Sequence, residues 1–204
     1  MPKRTKAEAE ATREALLDAA EVIFLERGVS RTSLEQIARQ AGMTRGAVYW
    51  HFKNKSDLFH AMLERVKMPL RQLLDDVEDP ERPNEPLESL RRATLHVVER
   101  LQRPRSRRVH TILFHRCEVA SDVDVLNLHE KLANECYDTM VERFEQARER
   151  GTLTESVEPE IATRMLMSML VGLMYDWLRN PESYDIGDVG PRMINTFFGR
   201  LVHV

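Results

Sequence analysis

Apolar residues recur along this chain at intervals of three and four positions, which is the repeat of an amphipathic α-helix. The first stripe follows the spacing i, i+3, i+4, i+7 and i+8 and consists of Leu16, Ala19, Ala20, Ile23 and Phe24. Thr12 can cap the start of this helix, and Gly28 can adopt the left-handed conformation after its end. The pattern therefore predicts a first helix from Thr12 to Arg27.

A start signal for a second helix comes soon afterwards. Thr32 and Glu35 have the spacing of a capping box, in which the hydroxyl and the carboxylate each accept a hydrogen bond from a backbone N–H. The apolar stripe behind this signal consists of Leu34, Ile37, Ala38 and Ala41. Gly42 interrupts the stripe, so this second helix is predicted to be short.

A third short helix is predicted directly after this break. Thr44 can cap its start, the Lys-Asn-Lys run at 53–55 interrupts it, and Ser56 can cap a fourth helix that begins near Asp57. Two short helices joined by a glycine turn and braced by a longer helix form a helix-turn-helix. An ordinary helical hairpin is the alternative, but it would not need two caps, a glycine turn and a basic end in this order.

Beyond residue 56 the pattern predicts a larger helical bundle. Pro69 should kink or end the fourth helix, Ser121 can cap a long helix that ends near Gly151, and the last helix follows Pro191. Three further helices are expected over residues 85–101, 104–119 and 159–178. We therefore expect a helix-turn-helix domain over residues 1–55 and a C-terminal helical domain over residues 56–204.

Composition agrees with an all-α globular protein, since the 204 residues include only 8 Gly and 9 Pro and 42% are hydrophobic. No apolar run reaches the roughly 18 residues of a membrane span, and the basic N-terminus is not followed by an apolar signal segment. Cys117 and Cys136 lack metal-ligand spacing, which favours two reduced thiols over a redox switch. We expect a cytoplasmic protein with no membrane partner.

Charge is distributed unevenly along the chain. The formal net charge is -3, yet between Arg31 and Lys55 five basic residues accompany a single acidic one, Glu35. A local positive surface on an acidic protein indicates that one end meets a polyanion.

The third helix has the chemistry to read DNA. In a helix-turn-helix the second helix of the motif enters the major groove, and Arg45 can bond the O6 and N7 of guanine there. Hydroxyls and N–H groups at helix starts suit phosphate, and Gly46 would allow a close backbone approach. Trp50 can lie at this surface or in the core, whereas Phe52 is expected in the core. The predicted DNA contacts are Thr32, Ser33, Thr44, Arg45, Gly46, Tyr49, Trp50, His51 and Lys55.

The run TREALLDAAEVIFLERGVSRTSLEQIARQAGMTRGAVYWHFKNKSDL, from Thr12 to Leu58, resembles the DNA-binding domain of the TetR family of bacterial regulators. The part TRGAVYWHFKNKSDLF is similar to AcrR-type repressors of multidrug efflux pumps. Two short stretches, RRVHTILFHRCEV at 107–119 and GLMYDWL at 172–178, extend the likeness. The resemblance implies an all-α homodimer with three DNA-binding helices and a ligand-binding, dimerising bundle in each subunit.

The segment over residues 161–178 is apolar on two faces. Ile161, Met165, Met169 and Gly172 form one face, and Ala162, Leu166, Leu170 and Met174 form the other. Because both faces need covering, one can pack within the subunit while the other meets a partner. We expect a homodimer through the last two helices that reads a palindromic double-stranded operator. A monomeric core helix is the alternative.

A methionine-lined cavity in the bundle could accept several apolar effectors, because methionine is flexible and polarizable. Its candidate lining residues are His110, Phe114, Tyr137, Met140, Met169, Tyr175, Asp176 and Trp177. The alternative is that these methionines and aromatics simply fill the core, with Asp176 a rim charge.

Together with the helix-turn-helix, the resemblance to AcrR-type repressors implies a ligand-responsive repressor of a multidrug efflux operon, released from DNA by hydrophobic small molecules. The alternative within the same class is a TetR-type regulator of a metabolic or stress operon, with a specific metabolite effector or none. An enzyme with a DNA-binding appendage would need catalytic motifs, but phosphate-binding loops, GxSxG and HExxH are lacking, so neither catalysis nor a cofactor is expected. An architectural DNA-binder with no effector is a third class.

Overall fold

A computed structural model describes residues 5–67, 69–77, 85–117 and 125–201, of which residues 125–132 are described by their backbone alone. Within these ranges the chain forms ten α-helices, which confirms the predicted all-α class: α1 (Lys6–Arg27), α2 (Leu34–Gln40), α3 (Arg45–His51), α4 (Lys55–Glu64), α5 (Leu70–Val77), α6 (Pro86–Leu101), α7 (Pro104–His115), α8 (Val125–Glu149), α9 (Pro159–Arg179) and α10 (Ile186–Leu201).

The backbone groups into two compact units. The first unit comprises Met1–Lys67 and Arg107–Leu128, and the second comprises Met68–Ser106 and His129–Val204. These units divide the chain differently from the two predicted functional domains, because a segment 40 residues downstream of Lys67 packs with the N-terminal helices.

Three helices begin earlier than the sequence pattern predicts. Helix α1 starts six residues before Thr12, because Thr5 and Glu8 form a capping box in which each side chain accepts the other residue's N–H. Asn54 rather than Ser56 caps α4, since its side chain accepts the N–H of Asp57. Helix α10 starts at Ile186 and contains Pro191 in its second turn, where the missing N–H leaves the carbonyl of Gly187 without its intrahelical donor.

Two further differences concern the middle of the chain. Helix α5 has no counterpart in the sequence prediction, and α7 ends at His115 instead of continuing to residue 119. The predicted cap at Ser121 lies outside the described residues.

The core of the first unit forms around α1. The apolar stripe predicted for this helix is buried, and Phe24 meets Phe59 of α4 edge to face with ring centroids 6.0 Å apart. Val109, Ile112 and Leu113 of α7 are buried in the same cluster. The N–H of Val29, just after α1, donates to the carbonyl of Arg116 at 2.9 Å. Residues 107–117 are therefore an integral part of this unit.

A buried carboxylate ties three helices of this unit together. Glu21 of α1 is fully buried, and its two carboxylate oxygens accept hydrogen bonds from Arg65, at the end of α4, and from Arg108 of α7, each at 2.8 Å. A charge removed from water in this way is tolerated only with such charged donors around it. Glu21 therefore fixes the far end of α4 and the adjoining part of α7 to α1.

In the second unit, α10 packs closely against α6. Gly190 makes this approach possible, because a Cβ atom at that position would lie only 2.8 Å from a Cγ atom of Val98. Farther along α10, Phe198 stacks on Phe144 of α8 with ring centroids 6.4 Å apart. The close α6–α10 contact thus depends on a residue without a side chain.

Substituting Gly190→Ala should lower the free energy of unfolding by about 1–3 kcal/mol, because the new methyl group overpacks the contact with Val98. Gly199→Ala is the matched control in the same helix, since nothing lies within 4 Å of a Cβ atom placed there. The control should be neutral or stabilising by up to about 1 kcal/mol through its higher helix propensity. Urea denaturation followed by circular dichroism distinguishes them, and equal midpoints would contradict the overpacking.

Candidate nucleic-acid interface

Helices α2 and α3 form a helix-turn-helix, as predicted, but the capping of α2 differs from the prediction. The N-cap is Ser33, not Thr32, and its partner is Gln36: the Ser33 hydroxyl accepts the N–H of Gln36, and the Gln36 side chain accepts the N–H of Ser33. Glu35 is consequently not used for capping. This one-residue shift leaves the Glu35 carboxylate available to α3.

The turn and the start of α3 follow the predicted pattern. Gly42 adopts a positive φ of 68°, which glycine accepts without the strain of a Cβ atom. Exposed Thr44 caps α3 by accepting the N–H of Ala47 at 3.3 Å.

Helix α3 has an inner face and an outer face. Val48 points into the core of the first unit, and Phe52, at the end of α3, is buried as expected, with the guanidinium of Arg13 5.5 Å from its ring centre. Trp50 is 71% exposed, which decides between its two predicted locations in favour of the surface. Exposed Arg45, Gly46 and Tyr49 lie on the outer face with it, and His51 is half-buried against the Trp50 ring.

Glu35 connects α2 to the outer face of α3. Its carboxylate accepts the hydroxyl of Tyr49 at 2.9 Å and pairs with Nε of Arg45 at 3.2 Å. The guanidinium carbon of Arg45 lies 5.4 Å from the centre of the Tyr49 ring, a cation–π distance. Hydrogen bonds from its own backbone N–H, from Tyr49 and from Ser33 lower the pKa of Glu35, so the carboxylate is charged at neutral pH. We call these three residues the Glu35 triad.

The structure revises the predicted roles of Thr32 and Lys55. Thr32 is only 2% exposed, and its hydroxyl donates to the carbonyl of Gly28 at 2.8 Å. Lys55 is 8% exposed, and its ammonium donates to the carbonyls of Val29, Ser30 and Thr32 at 2.9, 3.4 and 3.0 Å. Both side chains therefore brace the loop between α1 and α2 instead of facing solvent, whereas Ser33 remains exposed at the start of α2.

The predicted ligand-lining residues are distributed over both units. In the first unit, His110 and Phe114 of α7 are half-buried. In the second, Met140 and Trp177 are buried, and half-buried Tyr137 lies 5.0 Å from the guanidinium of Arg164. Tyr175 and Asp176 are exposed, and Met169 lines an open groove with residues of α10. The assignment of these eight residues to an effector site stays a prediction.

The two apolar faces predicted for α9 differ in burial. Ala162, Leu166 and Leu170 are buried within the second unit, and Met174 is half-buried. The other face is largely uncovered, because Ile161, Met165 and Gly172 are exposed and Met169 is only half-buried. Beside it, the open groove is completed by Val189, Arg192, Met193, Thr196 and Phe197 of α10.

An exposed recognition helix held in a helix-turn-helix defines a DNA-binding protein. Comparison with known families agrees: residues 16–62 match "Bacterial regulatory proteins, tetR family", and residues 85–202 match "MAATS-type transcriptional repressor, C-terminal region". The chain belongs to the TetR family and is a DNA-binding transcriptional regulator. Among the described residues, no helix combines the length and apolarity that crossing a bilayer requires.

Several relatives are similar over almost the whole chain. The transcriptional repressor BepR of Brucella suis is 34% identical over 98% of this chain and 96% of its own. The structure of NalD, the secondary repressor of the MexAB-OprM multidrug efflux pump in Pseudomonas aeruginosa, superposes with a TM-score of 0.86 at 39% identity, covering 97% of this chain and 99% of NalD. A SmeT–triclosan complex superposes with a TM-score of 0.82 at 36% identity, covering 95% of this chain and 92% of SmeT. SmeT is the repressor of the Stenotrophomonas maltophilia pump SmeDEF.

Reasoning from the sequence missed two groups of interacting residues in the first unit. Glu35 was assigned to a cap, although a single acidic residue among five basic ones is itself an indication of an ion pair. The buried cluster of Glu21, Arg65 and Arg108 had no such indication, since its members lie 44 and 87 residues apart.

Lys55→Met should lower the free energy of unfolding by about 1.5–3 kcal/mol, because three inward-facing carbonyls lose a charged donor. Lys53→Met is the matched control, since Lys53 is exposed two residues earlier. The control should leave stability within about 0.5 kcal/mol of the wild type. Chemical denaturation measures both effects, and a Lys55→Met variant as stable as the control would remove the proposed bracing role.

Proposed function

We propose that this protein represses a multidrug efflux operon, binding a palindromic operator as a homodimer and releasing it when a hydrophobic small molecule binds. The observation that carries the DNA-binding part is the outer face of α3, where Arg45, Tyr49 and Trp50 are exposed on a fixed helix. The operon class follows from the relatives, of which NalD and SmeT repress multidrug efflux pumps. Such a protein works in the cytoplasm by binding rather than by catalysis.

The uncovered face of α9 supports the homodimer. Ile161 and Met165 of α9 are exposed, and Met169 of the same face lines the open groove with exposed Met193 of α10. Exposed apolar surface of this kind is typical of a subunit interface. A two-fold dimer presents two copies of α3 and so reads two half-sites of a palindrome. The face thereby links dimerisation to operator affinity.

Triclosan bound to SmeT is the observation that favours a hydrophobic effector. In the proposed mechanism the effector favours a state of the dimer whose two α3 helices no longer match the half-site spacing. Because coupling between two ligands is reciprocal, such an effector must also bind the DNA complex more weakly than the free dimer.

Fluorescence anisotropy on the DNA upstream of the protein's own gene tests this function, with triclosan and other hydrophobic drugs titrated at fixed salt. We expect a nanomolar-range dissociation constant, about 10³-fold or more tighter than for random DNA, and release by several unrelated drugs. Selective binding that no drug disturbs would exclude drug-regulated efflux control and favour a metabolite effector or none. Equal affinity for both DNAs would overturn operator binding at this site.

Met165→Glu should convert the dimer into a monomer, because it places a charge on the proposed apolar interface. Light scattering should then give the 23.8 kDa of one chain instead of twice that mass, and operator affinity should fall. Val22→Glu is the matched control, an equally drastic change at an exposed valine of α1. A dimeric Met165→Glu variant would show that the subunits associate through another surface.

A further inference from the structure

Glu35 lies where a DNA-binding surface should least favour a carboxylate. It is next to the outer face of α3 and is the single acidic residue between Arg31 and Lys55. A negative charge near the phosphates weakens binding to DNA of any sequence, so a carboxylate at this position must contribute to binding in another way. The geometry of the Glu35 triad shows what that contribution is.

The carboxylate engages Arg45 from the side. It pairs with Nε at 3.2 Å, while the Arg45 side chain as a whole remains 73% exposed. Arginine carries five N–H donors in a rigid fork, and the pair of terminal amino groups is the part that bonds the O6 and N7 of guanine. A contact through Nε is compatible with that second, bidentate contact.

The same carboxylate also fixes its own position. Tyr49 donates to it at 2.9 Å, and the Tyr49 ring supports the guanidinium of Arg45 from a distance of 5.4 Å. Glu35 is on α2, whereas Arg45 and Tyr49 are one turn apart on α3, so the contacts join the two helices of the motif. An exposed arginine would otherwise lose several rotamers on meeting a base, which costs free energy.

We propose that Glu35 is a positioning residue for sequence discrimination: it holds Arg45 in the orientation that reads one base pair, at the cost of weaker binding to DNA in general. The inference rests on the proposed operator binding. It assigns Glu35 no contact with a base, because its action passes through Arg45.

Glu35→Gln is the informative change, because it keeps the shape and one acceptor for Tyr49 but removes the charge that pairs with Arg45. The matched control is Glu64→Gln, which removes one exposed carboxylate from the opposite end of α4, about 13 Å along that helix from Lys55. Both variants should keep the circular dichroism spectrum and unfolding midpoint of the wild type.

The probe is the duplex that the wild-type dimer enriches most strongly from a random library, together with its single-base-pair variants and an unrelated duplex of equal length. We expect Glu35→Gln to bind the unrelated duplex about twofold more tightly, because a repulsive charge is gone. At one base pair per half-site its discrimination should fall by about 3–10-fold, part of what a bidentate arginine contact provides. Discrimination at other positions, and by Glu64→Gln at all positions, should be unchanged.

A double-mutant cycle with Arg45→Ala distinguishes positioning from direct reading. In the Arg45→Ala background, Glu35→Gln should no longer change discrimination at that base pair, because there is no guanidinium left to orient. Tyr49→Phe should reduce discrimination at the same base pair by a smaller factor. A change in discrimination that persists without Arg45 would show that Glu35 reads the base itself and would overturn the inference.

Failure of the positioning role can be distinguished from failure of the proposed operator binding. If the wild type enriches a duplex and Glu35→Gln retains full discrimination on it, the positioning role is wrong while operator binding stands. If the wild type enriches no sequence at all, the proposed function is wrong and the inference that rests on it is wrong as well.

Discussion

The arrangement of the first unit depends on one buried charge. The carboxylate of Glu21 is out of contact with water and is held by arginines from α4 and α7, so each of these helices has one fixed point on α1. Lys55 fixes the other end of α4 to the loop after α1. Because α3 is joined to α4 by a link of only three residues, its orientation follows from these two anchors. Loss of one partner of such a buried pair is far more damaging than loss of an exposed ion pair.

What the sequence predicted well was local. The stripe from Leu16 to Phe24, the cap at Thr44 and the glycine turn are properties of a few adjacent residues. Arg45 and Tyr49 are four positions apart, so the helical period predicts that they share one side of α3. The capping of α2 was ambiguous because two boxes overlap, Thr32 with Glu35 and Ser33 with Gln36. The Thr32 hydroxyl instead donates to the carbonyl of Gly28, which leaves the box of Ser33 and Gln36 to cap α2.

What the sequence could not predict was set by distant partners. The carbonyls that bury the Lys55 ammonium lie 23 to 26 residues earlier, so a lysine in a basic run looks like a phosphate ligand until the fold is known. The start of α10 was missed for a different reason. Pro191 was read as a boundary, although the helix continues through it at the loss of one backbone hydrogen bond. For the effector site, the sequence names residue types that suit apolar ligands, and burial alone does not distinguish a lining residue from a core residue.

The contribution of α7 to the first unit has a consequence for how this kind of protein can be recombined. The N-terminal 67 residues are not a self-sufficient module, because Val109, Ile112 and Leu113 complete their core and Arg116 closes the loop after α1. A chimera that grafted only the N-terminal helices onto another regulator would leave an apolar surface open and Glu21 without one of its arginines. Exchange of DNA specificity between relatives is therefore compatible with stability in two forms: point changes on α3, or joint transfer of the two separate stretches of chain that share this core.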